Sequence, residues 1–124
     1  MRLLVIDDDP EIREVLAEFV SASGHQVSTA SSGREAIVLL ADEPFDAALV
    51  DWQMAGISGR DVIVHIGEHY PEMVVFVSTG FDEQAVSDRQ LRDLVHGVFR
   101  KPYRLADMVR TVRAAVEGAR STGS

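Results

Sequence analysis

Short apolar runs alternate with amphipathic stretches along the whole chain. Most of the runs are continuous, such as LLVI at residues 3–6, and they stop abruptly at polar residues. Continuous runs of this length are typical of strands that are buried on both faces of a parallel sheet. The pattern predicts five strands, at residues 3–6, 26–30, 45–50, 73–78 and 97–100.

The stretches between these runs repeat their apolar residues with the period of one helix face. Asp9 suits the cap of the first helix, and Pro10 suits its first position. Ser32 and Glu35 have the spacing of a capping box at the start of the next helix. The pattern predicts five helices, at residues 10 to about 24, 33–42, 59–70, 82–95 and 105–119.

Successive strand–helix units predict a doubly wound α/β fold. Parallel strands need crossover connections, and right-handed crossovers place helices on both faces of the sheet. The common five-stranded arrangement of this kind is flavodoxin-like, with the strand order 2-1-3-4-5. We therefore expect one domain over residues 1–120 and a disordered tail at residues 121–124.

Polar residues suited to chemistry follow four of the predicted strands. Asp7 and Asp8 follow the first strand, and Asp51 follows the third. Thr79 follows the fourth strand, and Lys101 follows the fifth. These four strands are neighbours in the order 2-1-3-4-5, so their carboxyl ends place the polar side chains at one edge of the sheet. Ligands of doubly wound folds bind at this edge, and we predict the functional site there.

The three carboxylates of this set repel one another and are hard to keep ionised without a cation. Oxygen ligands suit Mg²⁺, which keeps several waters and binds the oxygens of a substrate phosphate. A hydroxyl and an ammonium on the opposite side match the other oxygens of a phosphoryl group. A carboxylate can itself be the nucleophile and form an acyl phosphate.

Composition and charge narrow the range of functions. The net charge of −8 argues against direct nucleic-acid binding, which depends on neutralising phosphates with Lys and Arg. The absence of cysteine excludes disulfides and thiolate metal sites. No apolar run approaches the ~20 residues that a membrane span needs. Because no basic-then-apolar leader precedes the first apolar run, we expect a cytoplasmic location.

Four motifs resemble the receiver domain of two-component response regulators, and they occur in the order of that family. They are LLVIDDD at residues 3–9, FDAALVDWQMAGISG at 45–59, VFVSTG at 75–80 and FRKP at 99–102. The resemblance covers nearly the whole chain. It implies a phosphoacceptor signalling domain that catalyses only its own Mg²⁺-dependent phosphorylation and dephosphorylation, and that is not a metabolic enzyme.

The resemblance also implies a role for each residue of the predicted site. Asp51 accepts a phosphoryl group from a sensor histidine kinase or a histidine phosphotransfer protein. Thr79 binds one phosphoryl oxygen and shifts on activation, Lys101 pairs with another, and the bond between Lys101 and Pro102 is cis. The implied Mg²⁺ ligands are the carboxylates of Asp8 and Asp51, Asp7 largely through water, and the carbonyl of Gln53.

The chain departs from the family pattern in three places. Ala55 replaces the usual proline after the acceptor, and Phe81 is a large apolar residue near the expected phosphate. The switch position, which is usually aromatic, is Val98, and its small side chain predicts weak coupling to the output face. That face is built from the fourth helix, the fifth strand and the fifth helix. Residues 100–124 carry a net charge of +4, so it is a candidate surface for an acidic protein partner.

A small phosphohydrolase of the haloacid dehalogenase type is the alternative from another class. It would use Asp7 as nucleophile and Asp9 as acid–base residue, which have the D-x-D spacing of such enzymes. The chain is short for an enzyme of that type with its cap, and Pro10 favours Asp9 as a helix cap. The alternative also leaves Asp51 without a role.

The histidines and the C-terminal arginines have simpler interpretations. His65 and His69 have the i, i+4 spacing of zinc ligands, but without a third ligand an exposed helix face is the favoured interpretation. His25 and His96 are interpreted as loop residues without a partner. A solvated helix face is the favoured interpretation of Arg104, Arg110, Arg113 and Arg120, with a partner surface as the alternative.

Overall fold

The predicted strands form one parallel sheet. The computed structural model describes residues 1–54, 59–80 and 89–122. The strands are β1 (Arg2–Ile6), β2 (Gln26–Ala30), β3 (Ala47–Asp51), β4 (Val74–Thr79) and β5 (Gly97–Arg100). Their order is β2-β1-β3-β4-β5 and every pairing is parallel, which confirms the predicted doubly wound, flavodoxin-like fold.

Helices connect the strands, and two predicted caps are present at their starts. The helices are α1 (Pro10–Ala22), α2 (Gly33–Asp42), α3 (Gly59–His69), α4 (Arg89–Arg92) and α5 (Leu105–Thr122). Asp9 Oδ1 accepts the N–H of Glu11 at 2.9 Å and that of Ile12 at 3.5 Å. Ser32 Oγ accepts the N–H of Glu35 at 3.1 Å. Among the described residues, no helix is long and apolar enough to cross a membrane.

The side chains of each central strand alternate between two cores. Leu4 and Ile6 belong to the core beneath α2, α3 and α4, whereas Leu3 and Val5 belong to the core beneath α1 and α5. All four are at most 1% exposed. Because both faces of the strand are covered, every position favours an apolar residue, and this explains the continuous runs in the sequence.

The register of the sheet aligns the carboxyl ends of its strands. Asp51 at the end of β3 lies beside Ser78 of β4, and Thr79 lies beside Arg100 of β5. Asp51 and Thr79 were predicted to follow their strands, but each is the last residue of its strand because the pairing continues through it. The polar residues at the ends of β3, β4 and β5 therefore lie at nearly the same level, along one edge of the sheet.

Two helices end three residues away from their predicted ends, whereas α1 and α3 end within about two residues of theirs. The predicted end of the fourth helix at residue 95 is wrong, since α4 ends at Arg92. Leu94 and Val95 both donate their N–H groups to the Leu91 carbonyl, at 3.0 and 2.9 Å, and turn the chain toward β5. Residues 82–88 of that prediction lie outside the described residues. α5 continues to Thr122, within the segment predicted as a tail, and the domain boundary at residue 120 stays a prediction.

His96 extends the ladder between β4 and β5 with its side chain. Its N–H donates to the Val75 carbonyl at 2.7 Å, and its Nδ1 accepts the Val75 N–H at 3.1 Å. The interpretation of His96 as a loop histidine without a partner is therefore wrong. Because β5 begins only at the next residue, Gly97, neither the hydrophobic period nor the residue type indicated this contact. The same interpretation is wrong for His25, whose Nδ1 lies 3.1 Å from the N-terminal nitrogen of Met1.

Replacing His96 with alanine is expected to lower the free energy of unfolding by about 1–3 kcal/mol, because it leaves a buried N–H without an acceptor. Val75, which carries that N–H, is 2% exposed. Urea denaturation measures the loss. His96→Asn is the matched control, since its amide oxygen can accept the same N–H and should recover much of the stability. Equal losses in the two variants would contradict the role assigned to the ring nitrogen.

Candidate functional site

Four neighbouring strands bring the predicted site residues to one edge of the sheet. Asp7 immediately follows β1, and Asp51 is the last residue of β3. Thr79 ends β4, and Lys101 immediately follows β5. Asp7, Asp51 and Thr79 are buried, whereas Asp8 is exposed. The site therefore opens to solvent on the side of Asp8.

Asp7, Asp8 and Asp51 form an acid cluster. Each offers one carboxylate oxygen, and these three oxygens lie within 4.8 Å of one another. Holding them together while two of the side chains are buried costs free energy unless a cation neutralises them. Oxygen-only ligands with one open side suit a hard divalent ion such as Mg²⁺, which keeps several of its waters.

Lys101 supplies a positive charge to the acid cluster. Its Nζ lies 3.4 Å from Asp7 Oδ2 and 3.6 Å from Asp51 Oδ1. Its backbone N–H donates to the carbonyl of Thr79 at 2.8 Å, which ties it to β4. The bond between Lys101 and Pro102 is cis, as the resemblance implies. The single lysine of the chain thus contacts both buried acids.

The environment of Asp51 disfavours its ionised form. Burial raises the pKa of Asp51 to about 6, and the charge of Asp7 adds to the rise. The N–H of Gln53, which donates to Asp51 Oδ1 at 3.2 Å, and the ammonium of Lys101 both lower the pKa and so oppose it. Above this pKa the carboxylate is mainly ionised and can act as an oxygen nucleophile.

Local hydrogen bonds orient Asp7. The N–H of Asp9 donates to Asp7 Oδ1 at 2.9 Å, and Arg13 Nη1 donates to the Asp7 carbonyl at 2.8 Å. The carboxylate of Asp9 caps α1 and does not join the acid cluster. The sequence analysis did not identify Arg13 as a contact of Asp7. Its position one helical turn beyond the acids was the signal that could have indicated this contact.

Gly59 allows α3 to begin against the end of β3. A Cβ at this position would lie 2.8 Å from the carbonyl oxygen of Asp51 and 3.2 Å from the Cα of Trp52. Both neighbours are backbone atoms, so any side chain would displace either the helix or the strand that carries Asp51. A glycine at a predicted helix start, where it is a poor helix former, was the signal for this role.

Tyr103 anchors the segment that carries Lys101. Its ring centroid lies 5.4 Å from that of Phe99, which stacks on Phe76 at 5.2 Å. Burial raises the pKa of Tyr103 to about 12, and the charges of Asp7 and Asp51 contribute, so the phenol stays protonated. The sequence offered no specific signal for this aromatic stack.

Thr79 and Gln53 are predicted to contact the phosphoryl group and the metal ion, respectively. Thr79 is 2% exposed, and its contact with a phosphoryl oxygen stays a prediction. Gln53 lies two residues beyond Asp51, and metal binding through its carbonyl also stays a prediction. The departures from the family pattern at Ala55 and Phe81 lie outside the described residues.

A comparison with known protein families identifies the family of this chain. The family model described as response regulator receiver domain matches residues 3–113. The chain belongs to this family. The family predicted from the four sequence motifs is therefore confirmed, and the protein is a receiver domain of the kind that functions in two-component signalling.

Individual relatives agree with this assignment. Response regulator MprA of Mycolicibacterium vanbaalenii is 30% identical over 114 residues, which cover 92% of this chain and 49% of MprA. A CheY-like receiver domain protein of Methanospirillum hungatei has the same fold, with a TM-score of 0.91, 21% identity and coverage of 98% of this chain and 97% of that one.

A solved structure with a ligand is also similar. It is the response regulator protein TrrA of Thermotoga maritima in complex with Mg(2+)-BeF, with a TM-score of 0.82 and 27% identity. The match covers 91% of this chain and 96% of TrrA. Among the curated relatives compared, by contrast, the chain spans half or less of each protein, from 11% to 50% of its length.

Proposed function

We propose that this receiver domain is the phosphoacceptor of a two-component phosphorelay and that Asp51 receives the phosphoryl group from a phosphohistidine donor. The observation that carries the proposal is the acid cluster together with Lys101. Three carboxylate oxygens lie within 4.8 Å of one another, and one ammonium lies within 3.6 Å of the two buried acids. Asp51 is the member that the family motif identifies as acceptor.

Asp51 performs the transfer as an oxygen nucleophile. A carboxylate oxygen forms a bond to phosphorus while the phosphorus–nitrogen bond of the donor breaks, and the electron pair of that bond returns to the histidine ring. Lys101 pairs with one phosphoryl oxygen, and the Thr79 hydroxyl donates to another. The product is an acyl phosphate on Asp51, whose later hydrolysis resets the domain.

The acid cluster fits a bound Mg²⁺. In this proposal Asp8 and Asp51 bind the ion directly, Asp7 binds it largely through water, and the Gln53 carbonyl completes the protein ligands. The ion, when bound, offsets the negative charge that the acids and the phosphoryl oxygens bring together. The similarity to TrrA, which was solved with Mg(2+)-BeF, supports this assignment.

The phosphohydrolase alternative finds less support at the same site. That alternative requires Asp9 as acid–base residue beside Asp7. The carboxylate of Asp9 instead accepts two N–H groups at the start of α1, and it is not part of the acid cluster. Asp51, which the alternative leaves without a role, is buried and belongs to the acid cluster.

The donor in this proposal is a sensor histidine kinase or a histidine phosphotransfer protein in the cytoplasm. The chain spans half or less of the curated relatives compared, so its partners and any attached output domain belong to the proposal as well. We place the output face on α4, β5 and α5, and we propose no nucleic-acid or membrane partner. Val98 on this face is 37% exposed, and weak coupling through it stays a prediction.

Two of the arginines of α5 form ion pairs with acids of the same helix. Arg110 contacts Asp107 at 2.9 Å, and Arg113 contacts Glu117 at 3.0 Å. Such exposed pairs are worth little free energy, so an acidic partner could replace them. They nevertheless favour the interpretation of this surface as a solvated helix face.

Phosphorylation is expected on Asp51 after incubation with Mg²⁺ and acetyl phosphate. Mass spectrometry of the intact protein should show one added phosphoryl group, and peptide mapping should locate it. Asp51→Asn should remove the label, as should chelation of the metal. Asp9→Asn, which retains a capping side chain, should be labelled like the wild type. A phosphoryl label on Asp7 would favour the phosphohydrolase instead, as would loss of the label in Asp9→Asn.

A further inference from the structure

Two histidines lie one helical turn apart near the C-terminal end of α3, and their rings stack. The ring centroids of His65 and His69 are 4.3 Å apart, and the ring planes differ by 25°. His69 is exposed, and His65 is partly exposed. The two rings therefore lie face to face at the surface, where an ion from solvent can reach the edges of both of them.

A hydrogen bond determines which nitrogen of His69 is available. Its Nδ1 lies 3.0 Å from the carbonyl oxygen of His65. A carbonyl can only accept, so Nδ1 carries the proton and the lone pair of the neutral ring is on Nε2. Histidines that bind metals commonly donate their other ring N–H to a backbone carbonyl, which orients the ring and raises its basicity.

The sequence around the pair adds a carboxylate on the same helix. Residues 65–69 read His-Ile-Gly-Glu-His, which has the H-x-x-E-H spacing of one class of zinc site. Glu68 is exposed and follows His65 by three positions, so it lies near that ring on the helix surface. Within residues 1–54, 59–80 and 89–122, the acid cluster is the only place where three side chains bring ligand atoms together. Glu68 therefore does not act as a third ligand beside the two histidines, and water completes the coordination of an ion bound there.

We propose that His65 and His69 bind a transition-metal ion of the Zn²⁺ type, each through one ring nitrogen, at a site separate from the acid cluster. Imidazole suits Zn²⁺, Ni²⁺ and Cu²⁺, whereas carboxylate and water suit Mg²⁺. The two sites therefore select different ions by their ligand chemistry. The bound ion connects the last turn of α3 to the turn before it and stabilises that end of the helix. The site does not depend on phosphorylation of Asp51.

Calorimetric titration of the full chain with Zn²⁺ tests the proposal, with saturating Mg²⁺ present to occupy the acid cluster. We expect one zinc ion per chain. His65→Gln and His69→Gln should each weaken zinc binding by at least about tenfold, as loss of groups that support a metal commonly does. The matched control is His25→Gln, which removes a histidine from the loop between α1 and β2 and should bind zinc like the wild type.

Thermal melting separates loss of the ion from loss of the fold. With saturating Mg²⁺ present, zinc should raise the melting temperature of the wild type and of Asp8→Asn, but not that of either histidine variant. If His65→Gln is itself destabilised without zinc, the decision rests on His69→Gln, at the exposed end of the helix. Unchanged zinc affinity in the histidine variants would overturn the proposal. Loss of the zinc response in Asp8→Asn alone would also overturn it, because the ion would then occupy the acid cluster.

Discussion

Replacing Asp51 with asparagine is expected to stabilise the metal-free protein by roughly 2–3 kcal/mol at pH 8. Asp51 is 5% exposed, and burial together with the charge of Asp7 raises its pKa to about 6. The ionised form is therefore costly in the folded protein and not in the unfolded chain, where an aspartate has a pKa near ~4. Urea denaturation in the presence of a chelator measures the gain.

The gain should depend on pH in a direction that the raised pKa of Asp51 determines. The folded protein keeps this proton up to about pH 6, whereas the unfolded chain releases it near pH ~4. The wild type therefore loses stability as the pH rises through this window, and Asp51→Asn does not. Glu14→Gln, which removes an exposed acid of α1, is the matched control and should change little. An equal advantage of Asp51→Asn at pH 4 and at pH 8 would contradict this account.

Replacing Lys101 with methionine is expected to destabilise the metal-free protein by about 1–3 kcal/mol at pH 8, because two buried carboxylates lose their cation. The lysine side chain is 27% exposed, so solvent screens part of its charge and the loss falls below that of a fully buried pair. Saturating Mg²⁺ should recover much of the loss, since the ion binds only the folded chain and neutralises the same oxygens. Urea denaturation with and without Mg²⁺ measures both effects.

The control for this experiment is Lys101→Arg, which keeps the positive charge and changes its geometry. It should retain more metal-free stability than Lys101→Met and should respond to Mg²⁺ more like the wild type. If Lys101→Met gains no more from Mg²⁺ than the wild type does, then the ammonium and the metal do not act on the same carboxylates. The description of the acid cluster as the metal site would then be wrong.

The sequence by itself determined the sheet and the edge at which the candidate site lies. Strands such as β1 and β4 were evident because helices cover both of their faces, so no polar residue interrupts the run. Asp51 and Lys101 could be assigned to one edge because parallel strands end on the same side. The motifs around them also identified the family, which the comparison confirmed.

Only the tertiary structure decided what each of these polar residues contacts. Asp7, Asp8 and Asp9 are adjacent and chemically identical. The sequence identified Asp9 as the cap of α1 through the proline that follows it, but it did not distinguish the surroundings of Asp7 and Asp8. In the fold, Asp7 is buried beside Lys101, Asp8 is exposed at the open side of the cluster, and Asp9 caps α1. The raised pKa of Asp51 likewise follows from burial and from charges contributed by other strands.

At His96 and Gly59 the structure shows contacts that the sequence did not predict, and the physical origin is the same. His96 was interpreted as inert, yet its ring accepts an N–H from Val75, 21 residues away along the chain. Gly59 was not singled out, yet the backbone at the end of β3 leaves no room for a side chain there. Hydrophobic periodicity reports which face of an element is buried. It contains no information on the distance between two segments that only the packed fold brings into contact.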